Sequence, residues 1–205
     1  FFYKEPERQT EGVTLGKKLR EMGEALSNLK FLSFLALLGV FFWLPFWAFF
    51  NLCAVYVDSN VDTAQLYLSI KSVPLFGQAL ADFLSHTDDD GVRRVLGETI
   101  SHSGYIIFIL QVPVSWFIER FRAIPTFLTG LFITALGLAI LGLAYVYSAA
   151  LVFVGIFVFA VGEMVASPRI QEYITWIAPK DKAGLYMGTN FLATSVGALF
   201  SGLIY

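Results

Sequence analysis

The sequence predicts an all-α membrane protein with five transmembrane helices, and three observations predict it. Hydrophobic residues make up 57% of the chain and charged residues only 15%, with a mean hydropathy of +0.67, whereas a soluble domain is about a quarter charged. The apolar residues gather into long runs that cross a ~30 Å hydrocarbon core at ~1.5 Å rise per residue. The basic residues collect in alternate connections between those runs. The formal charge of −2 is nearly balanced, so nothing in it points to nucleic acid. Cys53 is the sole cysteine, which leaves no intrachain disulfide and no cysteine metal cluster. His86 and His102 have no second ligand at metal spacing, and neither a metal nor a cofactor is expected.

Residues 1–30 read as a cytoplasmic linker, with Phe1–Tyr3 as the last turn of a preceding span. Within it Leu15, Leu19, Met22, Ala25, Leu26 and Leu29 recur at helical spacing, which predicts an amphipathic helix on the membrane surface. Residues 31–205 form the transmembrane bundle, and the chain stops at Tyr205 inside an apolar run, so a larger membrane protein is expected. The first span covers 31–57 and is kinked at Pro45, whose ring removes one backbone donor.

A polar excursion follows over 58–101, with Asp58, Asp62, Asp82, Asp88, Asp89, Asp90 and Glu98. Short helices at 63–72 and 75–84, separated at Pro74, are expected inside it, because so long a structureless loop is improbable. Asp88-Asp89-Asp90-Gly91 reads as a solvated turn with too few oxygen ligands for calcium. The second span runs over 97–118 with Pro113 in it, Glu119–Arg122 make a turn, and the third span runs over 124–147. The fourth begins near 149, carries Glu163, and continues past Pro168 as a half-buried extension in which Ile170, Tyr173, Ile174 and Ile177 share a face while Arg169, Gln171, Glu172 and Thr175 lie elsewhere. Pro179 ends it, and the fifth span runs from 183 onward.

With the linker inside, eleven of the 14 Lys and Arg residues fall on the inner side, which leaves Lys71, Arg93 and Arg94 outside. The positive-inside rule therefore supports five spans with a cytoplasmic amino end, and a plasma (inner) membrane is the expected location. Gly137 and Gly142 in the third span, and Gly184, Gly188, Gly197 and Gly202 in the fifth, allow close helix packing.

Glu163 is the only ionisable side chain inside an apolar run. A charge in hydrocarbon costs at least a few kcal/mol, so an acid there marks a substrate or proton path, or else staples its helix to a neighbour. Val154, Val158, Val161 and Val165 fall opposite it and predict a lipid-facing ridge; Ile156, Phe159, Ala160 and Ser167 flank it and predict a protein interior. Trp43, Trp47 and Asn51 repeat on one face of the first span, where they line a cavity and offer rings to a cation, or simply pack. Gln111 and Ser115 share a face of the second span, for hydrogen bonding between helices or toward the same cavity. No Ser-His-acid set, paired intramembrane acids or Gly-rich phosphate loop is visible, so no enzymatic activity is expected.

Gly162-Glu163, Ser167-Pro168, Ile177-Ala178-Pro179, Gly184, Met187-Gly188 and Phe191-Leu192-Ala193-Thr194 resemble, in order and spacing, the proton-dependent oligopeptide transporter family of the major facilitator superfamily. Phe46-Trp47-Ala48 resembles that family's seventh span, and Glu119-Arg120 retains part of a cytoplasmic loop motif. The resemblance implies the carboxy-terminal half of such a carrier, spans seven to eleven, with the amino-terminal half as its missing partner. It implies that Glu163 holds the substrate amino group and takes part in proton coupling. Asn51 stands where the family usually has an acidic residue or glutamine, and Asn190 replaces a pocket tryptophan. Proton-coupled uptake of a small polar substrate such as a di- or tripeptide is the expectation. A drug or metabolite exporter, or a non-transporting receptor or scaffold using the outer excursion, are the alternatives.

Overall fold

The computed structural model describes residues 14–95, 97 and 103–204. The expected turn at Phe1–Tyr3, the basic residues Lys4 and Arg8, and the outer-end residues Glu98 and His102 lie outside the described residues. The elements in order are α1 (Leu15–Leu26), α2 (Leu29–Asn60), α3 (Thr63–Lys71), α4 (Gly77–Leu84), β1 (Ser85–Thr87), β2 (Arg93–Val95), α5 (Gly104–Ile118), α6 (Ala123–Leu143), α7 (Leu151–Ile177) and α8 (Ala183–Ile204). Four of the described helices, α2, α6, α7 and α8, are long and apolar enough to cross a membrane. The chain is therefore an all-α membrane-embedded protein. The described part of α5 has 15 residues, about 22 Å at 1.5 Å per residue, which by itself falls short of a ~30 Å core.

Local chemistry explains the helix boundaries. Asn28 caps α2 by accepting from the N–H groups of Lys30 at 3.1 Å and Phe31 at 3.4 Å. Pro45 acts on the turn before it: residues Gly39–Trp43 form a π-turn in which the Leu44 N–H donates to the Gly39 carbonyl. That one-residue bulge accommodates the proline ring and its missing donor, and α2 runs on to Asn60. The run expected to reach 147 ends at Leu143, where the Ala144 N–H tightens onto the Leu141 carbonyl at 3.0 Å. Tyr145 and Tyr147 beyond it are exposed, at the polar end of the helix.

Glycine sets the closest contact of the bundle. A Cβ on Gly130 would lie 2.7 Å from the Ala166 nitrogen, one on Gly137 2.4 Å from the Phe159 nitrogen, one on Gly155 2.8 Å from the Leu141 nitrogen and one on Gly162 2.4 Å from the Thr134 nitrogen. The pairs climb α6 as they descend α7, so the two helices are antiparallel with their backbones in contact. Of the glycines expected to pack, Gly137 and Gly197 do, while Gly142, Gly184, Gly188 and Gly202 have open space around them.

The excursion after α2 folds onto the end of the bundle. Its helices fall at Thr63–Lys71 and Gly77–Leu84, as the sequence predicts, and a two-stranded antiparallel hairpin, Ser85↔Val95 to Thr87↔Arg93, completes it. Asp88 shapes the turn by accepting from the N–H groups of Asp90 at 3.1 Å and Val92 at 2.8 Å, and pairs with Arg94 at 2.6 Å. Asp82 gathers Tyr67 at 3.0 Å and Arg93 at 2.5 Å. Leu66, Tyr67, Ile70, Ala81, Leu84 and Val95 share one apolar cluster with Phe49, Cys53 and Val57 of α2, so the excursion is part of the core.

Candidate functional site

The candidate site is built on α2, α7 and α8. Its levels follow from the packing. Phe159 stacks on Phe49 with ring centroids 4.0 Å apart, and Tyr173 meets Phe34 at 4.6 Å, so α7 runs antiparallel to α2. This places Glu163 level with the Trp43–Trp47 turn. A Cβ on Gly39 would meet the Ala193 carbonyl at 3.5 Å, and one on Gly197 would lie 2.6 Å from the Trp43 Cβ, so α8 runs parallel to α2. Thr194 and Asn190 then lie about 4.5 and 10 Å along α8 from the Trp43 level, toward the α1 end.

Each of these residues carries a polar atom closed off from solvent and without a hydrogen-bond partner among the described residues: Trp43 Nε1, Trp47 Nε1, Glu163 Oε2, Asn190 Oδ1 and Thr194 Oγ1. Buried polar groups are normally paired, and an unpaired one costs about 1–3 kcal/mol. Here the two indoles supply donors, the carboxylate and the amide oxygen supply acceptors, and the hydroxyl supplies both. Phe46 meets both indoles edge-on, with ring centroids 5.4 Å from Trp43 and 5.6 Å from Trp47.

The other two expected site residues are already engaged. Asn51 donates through Nδ2 to the Ser201 hydroxyl at 2.9 Å, which ties α2 to α8. Gln111 donates to Ser115 at 2.8 Å, one turn along its own helix. The valine ridge also differs from the expectation. Val165 is only 7% exposed, and Val161 and Val165 wall a cavity with Pro113, Phe117, Pro125 and Thr129 of α5 and α6. Helix α5 packs there, so only the Val154 end is open.

Arg169 was expected off the buried face of α7, yet it is 7% exposed. Its guanidinium donates to the Ile118 carbonyl at the end of α5 and to the Glu172 carboxylate. A cation on the unpaired last carbonyls of a helix is favourable, and this one locks α5 to α7. The signal was in the sequence: Arg169 follows Ala166 by three residues, on the stripe that buries Ile170. Thr194 was legible only as part of a longer motif.

Comparison with protein-family models, with curated proteins and with solved structures finds no match to this chain.

Proposed function

We propose that the chain is the carboxy-terminal half of a secondary active transporter of the major facilitator superfamily, similar to the proton-dependent oligopeptide transporters. In this reading α2, α5, α6, α7 and α8 are spans seven to eleven, and the whole carrier takes up a small polar substrate, such as a di- or tripeptide, with protons by alternating access. The observation that carries the reading is that buried donors and acceptors on α2, α7 and α8, with Glu163 and the two indoles at one level, have no partner among the described residues. Donors and acceptors on separate helices suit a molecule that is itself both donor and acceptor, with the carboxylate facing its amino group.

The pairing of helices supports the same reading. Helix α8 lies along α2, and α5 lies along α7, so the first helix of each proposed repeat meets the second helix of the other. The third helix, α6, lies on α7. The corresponding seat on α2 is an apolar groove of about 550 Å³ walled by Phe34, Leu37 and Phe41 of α2 and Ile124, Leu128 and Phe132 of α6.

The test is proton influx into liposomes holding the whole carrier, driven by a panel of di- and tripeptides, for wild type and Glu163→Gln. Influx with some peptides that vanishes in the variant is the expected result. Equal influx in both would reduce Glu163 to a structural acid, and no influx with any peptide from folded protein would remove the peptide assignment.

A further inference from the structure

Helix α1 leaves half of its apolar stripe uncovered. Leu15, Leu19 and Leu29 are 74%, 58% and 75% exposed, and with Met22 and Leu26 they recur at i, i+4, i+7, i+11 and i+14. Only Ser27 and Asn28 separate α1 from α2, so α1 cannot leave the level at which α2 begins. The stripe passes through Leu29 into the exposed apolar surface of α2 at Leu32 and Val40, away from the groove walled by Leu37. In a membrane-embedded protein that surface faces lipid, and α1 prolongs it sideways.

The ends of α1 are unlike. Near its carboxyl end Ala25 is buried beside Phe31 and Tyr186, and Glu24 meets Lys182 at 3.4 Å, which moors that end to α8. The first turns carry Lys17, Lys18 and Arg20, all exposed, and Arg20 turns back to Glu24 at 3.3 Å. Lys17 and Lys18 have no acidic partner within salt-bridge reach among the described residues. An apolar stripe flanked by exposed lysines, at the membrane boundary, matches a lipid surface with anionic headgroups better than it matches water.

We infer that α1 is a membrane-surface anchor: Leu15 and Leu19 enter the lipid interface beside α2, and Lys17 and Lys18 engage anionic headgroups. Its attachment to α8 through Glu24 and Ala25 links the lipid surface to the helix that carries Asn190 and Thr194. The inference rests on the embedding of α2 and stands whether or not the protein transports anything.

The experiment places an environment-sensitive fluorophore on Leu19→Cys in a Cys53→Ser background, with the protein in vesicles of phosphatidylcholine, alone or with one third phosphatidylglycerol. The same label on Thr87→Cys, on the exposed hairpin, reports full contact with water. The inference predicts quenching of the Leu19 label by headgroup-level spin-labelled lipid and at least threefold weaker quenching by aqueous iodide than at Thr87. Phosphatidylglycerol should strengthen both effects, and Lys17→Glu with Lys18→Glu should abolish that dependence, since each near-surface cation contributes roughly a fivefold preference. Iodide quenching equal to that at Thr87 in both lipids would overturn the anchor. Shielding from iodide without quenching by lipid would overturn it too, by placing the stripe on protein. Identical behaviour in the two lipids would overturn the role of the lysines.

Discussion

Arg169 and Asn190 are both polar and almost fully buried, and they differ in what faces them. Arg169 is anchored to the Ile118 carbonyl and to Glu172, whereas the Asn190 Oδ1 faces no partner among the described residues. The Arg169 Nε has no partner among the described residues, but truncation strands the two acceptors that its terminal nitrogens hold, so Arg169→Met should lower stability by about 2–3 kcal/mol, read as an earlier thermal unfolding transition in detergent. Arg169→Lys should recover only part of it, because an ammonium lacks the forked geometry that reaches both acceptors. Removing an unsatisfied group has the opposite consequence. Asn190→Leu should leave the unfolding transition unchanged or raise it, while weakening substrate binding by about tenfold if the amide serves a ligand. A large loss of stability in Asn190→Leu would show that the amide has a structural partner. Asn51→Leu, which strands the buried Ser201, should cost about 1–2 kcal/mol and spare binding.

Among the elements, the α6–α7 seam and the hairpin make separate predictions. Gly137→Ala or Gly162→Ala would drive a methyl into backbone atoms 2.4 Å away, and overpacking of this kind costs about 1–3 kcal/mol. Gly188→Ala and Gly202→Ala meet open space and should instead gain up to about 1 kcal/mol from helix propensity. Thermal unfolding of the four variants separates a packed seam from a loose pair. In the hairpin, the Arg94 hydrogen bond, followed by the Val92 N–H, holds the Asp88 carboxyl below its ordinary value. Gln78 first, then Tyr67 and Arg93, does the same for Asp82. A depressed folded value means that the stabilisation is complete above the ordinary aspartate value of about 3.9 and is lost as pH falls through the folded one. Amide protection in β1 and β2 should therefore hold down to about pH 4 and fall in stronger acid. In Asp88→Asn it should be lower throughout and lose most of that dependence.

For the molecule as a whole, the parts written in composition and period were legible and the parts written in side-chain partnership were not. Apolar runs gave the long helices, and Pro74 parted the two helices of the excursion, because length and backbone sterics act locally. The hairpin at Ser85–Val95 was missed because three-residue strands are held by Asp88, Asp82 and their arginines, which no periodicity announces. Glu163 was legible since an acid in an apolar run stands alone, but whether Asn51 and Gln111 point at a ligand or at a neighbouring side chain depends on Ser201 and Ser115. The central claim is that Glu163, level with Trp43 and Trp47, belongs to a site for a small polar molecule, and the tryptophans report on it directly. Of the 4 tryptophans, Trp116 and Trp176 are exposed, at 64% and 62%, so the Trp116→Phe, Trp176→Phe protein emits only from Trp43 and Trp47. Titration of that protein with di- and tripeptides should give a saturable change in emission that disappears on adding Glu163→Gln. An emission unchanged by every peptide, from folded protein, would contradict the account.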